Sequence, residues 1–198
     1  SGIFTPTPKQ TNTVMGKIPM PDINCDTLTP RSFNKGAGTY EPGTYTGTFA
    51  PNKDATLMPG LYCFKNGISV TSKDLSGEGV TLYVPNGPVK ITGAVNNLRA
   101  PTEQEASSGL TAGIAGLLIY LPETNSSSVE ITGNTDSKFT GTVYAPQSPI
   151  YFKGTSDIGK TWYTQFVGWT IEVAGNSSIT INYDQSQSYT PPAYLELF

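Results

Sequence analysis

The chain has 198 residues, a formal net charge of −3, only 14% charged residues and no histidine. That length holds one sizeable domain and hardly two. The lack of histidine removes histidine triads, histidine metal sites and histidine acid–base chemistry, and the scattered Lys and Arg residues argue against nucleic acid or an anionic membrane surface as a partner.

Residues 1–40 are rich in Pro, Thr and Asn and carry few strand signals, so they read as an extended N-terminal arm. The Ser1-Gly2 start reads as a trimmed beginning. Cys25 lies in this arm and Cys63 beyond it, in no metal-ligand spacing. In an exported chain they pair, tying the arm to the first strands, and closing such a loop stabilises by about 3–4 kcal/mol in the chain-entropy model. The alternative is two free buried thiols.

From residue 41 the sequence repeats itself. "VKITGA" (Val89–Ala94), "VEITGN" (Val129–Asn134) and "IEVAGN" (Ile171–Asn176) share one pattern: apolar, charged, apolar, small, Gly, small. Aligned on glycine, Gly133, Gly154 and Gly175 follow at steps of 21, and Gly93 precedes them by 40, nearly two periods. A second motif interleaves: "TLYVP", "LIYLP", "TVYAP" and the degenerate "TQFVG" place aromatics at Tyr83, Tyr120, Tyr144 and Phe166. Upstream, "PGTY" ends at Tyr45 and "PGLY" at Tyr62. The long step between Tyr83 and Tyr120 contains a polar insertion, residues 96–109. The twelve-residue run Leu110–Leu121 is too short to span a bilayer and reads as a buried strand with its approach loop.

A unit of about 21 residues with short strands and Gly or Asn corners cannot bury its apolar face alone. Stacking coil on coil buries a continuous core. The expectation is an all-β, right-handed parallel β-helix spanning 41–184, with corner glycines at positive φ; the alternative is an antiparallel sandwich or jelly roll. The tail, residues 185–198, has two prolines and an apolar end. Tyr194, Leu195, Leu197 and Phe198 either cap the coil or add to a neighbour as an assembly segment.

In order, "PGLYCFKNGISV", "GVTLYVPNGPVKITG", "FTGTVYAPQSPIYFKG" and "IEVAGNSSITIN" resemble the exported Gly/Asn-rich C-terminal region of bacterial TadE/TadG-type proteins of Tad (Flp) pilus assembly. The resemblance covers roughly residues 40–184. "NLRAP" (Asn97–Pro101) stands where that group has "LTAP", and the group's N-terminal membrane helix and many of its Gly-Asn corners are missing here. The resemblance implies an envelope-anchored, surface-exposed β-helical domain and carries no catalytic residues.

The search for chemistry finds little. Glu130 and Glu172 occupy equivalent repeat positions, with Lys90 in the third copy, and read as solvent-facing members of alternating strands. Asp54, Asp74, Asp136, Asp157 and Asp184 read as turn residues, and no calcium loop occurs. "LPETN" (Leu121–Asn125) brings the sortase motif to mind but lacks its glycine and tail, and Asn125 and Asn176 head chance glycosylation sequons. Thr132 and Thr180 form no regular ladder of the ice-binding kind. Trp162 and Tyr163 are the candidate surface contacts, for instance to glycans.

The reading is therefore a non-enzymatic structural subunit of a bacterial pilus or adhesion system, extracellular or on the cell surface. No cofactor is expected. Its partners would be other envelope subunits or itself, with surface glycans as a further class, and it would meet a membrane only through a segment outside this sequence. The alternatives are a secreted carbohydrate-binding or carbohydrate-degrading β-helix and, less favoured, an ice-binding protein.

Overall fold

The computed structural model describes residues 18–93, 95–109, 112–133, 137–154, 161–175 and 180–191. One compact unit runs from Ile23 to Thr190; of the terminal residues outside it only 18–22 and 191 are described.

In chain order the strands are β1 (Pro30–Arg31), β2 (Thr39–Tyr40), β3 (Gly43–Tyr45), β4 (Ala55–Leu57), β5 (Gly60–Phe64), β6 (Ile68–Val70), β7 (Leu75–Glu78) and β8 (Val80–Tyr83). They continue as β9 (Val89–Ile91), β10 (Val95–Arg99), β11 (Leu117–Tyr120), β12 (Val129–Gly133), β13 (Phe139–Gly154), β14 (Thr161–Gly175) and β15 (Thr180–Asn182). A short helix, α1 (Glu103–Ser107), follows β10.

The pairings between these strands are parallel, which rules out the sandwich, and they build a β-solenoid of about six turns with a spacing near 21 residues. Each coil has three walls. The first stacks β2, β4, β7, β10 and the starts of β13 and β14, and ends in β15. The second stacks β1, β3, β5, β8, β11 and the middles of β13 and β14. The third carries Phe49, β6, β9, β12 and the ends of β13 and β14. The long strands β13 and β14 run through all three walls. In β13 the first bend falls at Gly141, whose φ of +124° disfavours any side chain and where a Cβ would come 2.6 Å from that of Ala100.

Alternation decides what faces inward. On the second wall Tyr62, Leu82, Ile119, Val143 and Phe166 stack in register toward the core; on the third, Ile91, Ile131 and Phe152 do so. The repeated glycines align as the sequence predicts, Gly133 with Gly154 and Gly154 with Gly175. The reason at Gly93 differs from the expected positive φ. Its φ lies outside the left-handed region, and a Cβ there would sit 1.8 Å from the Lys73 carbonyl oxygen, so glycine serves the close approach of two coils.

Two motif alignments shift. Tyr144 pairs with Val167 rather than Phe166, and Tyr45 pairs with Phe64 rather than Tyr62. Both shifts keep the core columns filled, because a displacement by one or two residues at a corner costs less than turning an aromatic out of the core. The stacking also begins before residue 41, with β1 and β2. The chain leaves the coil only after Arg99: Leu98 is fully buried in the core, and the excursion covers residues 100–116.

Each end is treated differently. At the start, Phe33 packs on Tyr40, Tyr45 and Phe49 at ring-centroid distances of 5.8, 6.5 and 5.1 Å and closes the core. At the far end, β15 is followed by a 3-10 turn, Gln185–Gln187, and the chain turns back along the outside of the second wall, where the Tyr189 amide donates to Thr142 Oγ1 at 2.8 Å.

Candidate functional site

The outer faces hold most of the polar residues. On the third wall Ser69, Lys90, Glu130, Tyr151 and Glu172 form one register column. Lys90 stands beside Glu130, and Tyr151 separates the two carboxylates by two strand spacings, roughly 10 Å. The column is a charged ladder on a wall. Among the described residues no group of three His, Cys, Asp or Glu side chains gathers as a metal site would require.

On the second wall the outward column is Thr44, Cys63, Tyr83, Tyr120 and Tyr144. The three tyrosines stack as a ladder, with centroids 5.1 and 5.9 Å apart. Farther along this face the 100–116 excursion lies over Thr81, whose hydroxyl accepts from the Ile114 amide at 2.8 Å and donates to the Leu117 carbonyl at 2.9 Å. Arg99 holds the excursion's helix through a two-pronged bond to Glu105, both contacts at 2.8 Å. Those hydrogen bonds keep the Glu105 carboxyl down at about 2 and push the Arg99 guanidinium up. Glu105 also completes a capping box with Thr102.

Cys25 and Cys63 form the disulfide, with Cα atoms 5.7 Å apart. It pins the arm to the outside of the second wall, helped by Lys65 and Asp26 at 2.7 Å. In the stretch from β1 to β3 a cavity of about 300 Å³ is lined by Arg31, Asn34, Tyr40, Glu41 and Tyr45 among others. Its polar groups bind one another: Arg31 pairs with Glu41, Tyr40 donates to the Asn34 carbonyl and Tyr45 to the Glu41 carbonyl. Burial pushes the Tyr40, Tyr45 and Tyr62 phenols up, Tyr62 most strongly.

Several singled-out residues turn out to be structural. Asn125, the end of "LPETN", is 4% exposed at the corner between the second and third walls. Its amide donates to the carbonyls of Val84 and Gly87, both at 3.0 Å, so it is no glycan acceptor. Asp184 accepts from the Ser186 amide two residues on, the expected turn role, whereas Asp54 accepts from the Asp74 amide 20 residues on and so ties two successive coils. Thr132 and Thr180 share no column: the first is in register with Lys153 on the third wall, the second with Thr161 on the first. Asp136, Asp157, Asn176 and the tail residues Tyr194, Leu195, Leu197 and Phe198 lie outside the described residues.

Trp162 is a correction. It is 1% exposed, packed on Phe139 and Phe152 with its indole N–H donating to the Ser137 carbonyl, so it is core and not a surface contact. Alternation explains it: Trp162 faces inward as Phe139 does, and its neighbour Tyr163 faces out and is exposed.

The feature the sequence reading missed is the last coil. The third-wall core columns run Val89, Val129, Ile150, Ile171 and Ile91, Ile131, Phe152, Val173. All but the last member of each are fully buried; Ile171 is 50% and Val173 54% exposed. Trp169 (71%), Ile181 and Tyr183 are exposed on the same coil or just after it. "IEVAG" is the last copy of its motif, and that position in the repeat is the signal that could have drawn attention to this coil. Beyond β13 and β15 no described strand pairs with β14, so among the described residues the outer edge of its third-wall stretch has no partner strand. No described helix is long and apolar enough to cross a membrane.

The sequence profile of a domain family of unknown function (DUF7305) matches residues 33–188, well over half of the chain. No curated protein and no solved structure matches.

Proposed function

The chain belongs to that family, and we propose that it is a non-enzymatic structural subunit displayed outside the bacterial cell, in a pilus or adhesion system, where its solenoid serves as a stackable unit. The observation that carries this reading is the asymmetry of the ends. One end is closed by Phe33, while at the other the core-column positions Ile171 and Val173 are exposed and no described strand pairs with the outer edge of β14. A chain built to act alone covers both ends. The disulfide supports an oxidising compartment, and the resemblance of the motif order to the exported region of TadE/TadG-type proteins supports the pilus setting.

The test is location and company in the source cells. Immunogold labelling against residues 23–190 should decorate the outer surface, and cross-linking on intact cells should recover pilus or envelope components. Label confined to the cell interior would overturn the reading. A second reading, glycan binding, is favoured by the exposed rings of Tyr163, Trp169 and Tyr183; a glycan array bound by the native chain and not by Trp169→Ala would select it.

A further inference from the structure

We infer that the open end of the solenoid is a self-association surface: two copies of this chain join end to end across a two-fold axis through their third walls. The inference rests on the structural-subunit reading above and names its first partner. The face is made of core residues in the wrong place. Ile171 and Val173 continue columns whose earlier members are fully buried, and Ile181 continues the column of Trp162. The backbone of β14 beyond Gly168 has its ladder to β13 on one side and no described strand on the other. What fits such a face is one more layer of strand.

Three observations choose a second copy. The first is charge. Among the described residues of β14 and β15 the only charged one is Glu172. A face that meets its own copy sets like against like, so it must be close to neutral. With the axis at Ile171, Ile171 meets its own copy, Val173 meets Trp169 and Glu172 meets Thr170, so no two carboxylates oppose each other. The second is the closed start of the solenoid. Phe33 lies across Tyr40, Tyr45 and Phe49 at the end that a head-to-tail stack would need, which leaves pairing of open end with open end.

The third is the pitch of the coil. Each wall stands about a third of a strand spacing, roughly 1.6 Å, beyond the wall before it. At the open end the third-wall strand is the middle step. The second-wall stretch 164–168 is one step lower, and β15 on the first wall is one step higher. A two-fold axis along the third-wall normal exchanges the first and second walls, so the low step of one copy meets the high step of the other. All three strand pairs then close at one common spacing and run antiparallel. The chain's own continuation points elsewhere: after β15 it crosses to the outside of the second wall, at Thr142 and Gly116.

The test is sedimentation velocity of the full chain from about 1 to 200 µM, with circular dichroism to confirm folding. The expected result is a concentration-dependent species at twice 21.1 kDa, lost in Ile171→Asp/Val173→Asp, whose changes lie on exposed side chains. As a readout that leaves the face apolar, Ile171→Cys should cross-link to its own copy under mild oxidation, since paired Cα atoms in an antiparallel ladder are within disulfide reach. A monomer at every concentration, a dimer that survives the double substitution, or polymers without a closed dimer would each overturn the inference. So would a monomer that dimerises only when cut after Pro191, which would assign the face to the chain's own tail. Surface labelling of cells is independent of these results, so the inference can fail while the structural-subunit reading stands.

Discussion

Asn125→Asp changes one atom and should cost the solenoid several kcal/mol. The Asn125 amide nitrogen donates to two carbonyls of the preceding coil, Val84 and Gly87, each at 3.0 Å, at a site 4% exposed. The substitution keeps the shape and removes both donors. Two hydrogen bonds are lost at about 1 kcal/mol each, and two acceptors are left facing a carboxylate that burial also desolvates. The expected loss is about 3–5 kcal/mol at pH 7. The sign with pH follows. Burial and the facing carbonyls raise the introduced carboxyl in the folded state above its unfolded value, so the folded variant binds the extra proton. The deficit against wild type therefore shrinks as pH falls through the raised value toward about 4, the unfolded value. Urea unfolding of both proteins at pH 7 and pH 4.5 checks this. A variant within 1 kcal/mol of wild type at pH 7, or a deficit that grows on acidification, would refute the clamp.

Removing the disulfide with Cys25→Ser/Cys63→Ser should cost about 4 kcal/mol for a sequence separation of 38, read as a fall in unfolding midpoint that added reductant reproduces in wild type only. Trp162→Ala should cost about 3–5 kcal/mol, whereas Trp169→Ala should change folding by less than about 0.5 kcal/mol, as their burial dictates; chemical unfolding of each decides. Glu105→Gln should flatten the acid limb of stability. Glu105 sits at about 2, below its ordinary 4.5, so its contribution is present above pH 4.5 and is lost as pH falls toward 2. Solvent screening of a side chain 32% exposed holds that contribution to about 1 kcal/mol; comparing melts of wild type and variant between pH 5 and 2 measures it.

The coil was legible because stacking writes itself into sequence. Val129 must lie on Val89 and under Ile150, so the same pattern returns with each coil, 21 residues on at Ile150 and 40 on from Val89 where the excursion intervenes, and the glycine that lets two coils touch returns with it. The tyrosine ladder was legible for the same reason. What a repeat does not encode is the corner. One or two residues more or less there moved Phe166 against Val143 and Tyr45 against Phe64, and no periodicity reports it. Polarity misled in "NNLR", where only Leu98 needs to be apolar for the strand to form. Trp162 was misread because a lone "GKTWYTQ" gives no phase; its partner Phe139 supplies that phase only once the register is known. The exposure of Ile171 and Val173 was not legible because they keep the apolar pattern of their buried counterparts, and only the stacking shows their faces open.

The exposure of Ile171 and Val173 has a dynamic consequence. In a stacked repeat each coil is held by its neighbours, so a coil with one neighbour is held by about half the interface of an inner one. Ile131 is sealed on both sides by Ile91 and Phe152, while Val173 is in register, among the described residues, with Phe152 alone and is 54% exposed. Dilute chain should therefore show amide exchange in 169–174 faster by at least ten-fold than in β12, because local opening of the end coil breaks one ladder and uncovers little that was buried. If the end pairs with a second copy, that stretch gains a ladder, and its protection should rise with protein concentration while β12 stays constant. Exchange in 169–174 as slow as in β12 at low concentration would mean that the end is already covered within the single chain, and the reasoning from exposed core columns would fail.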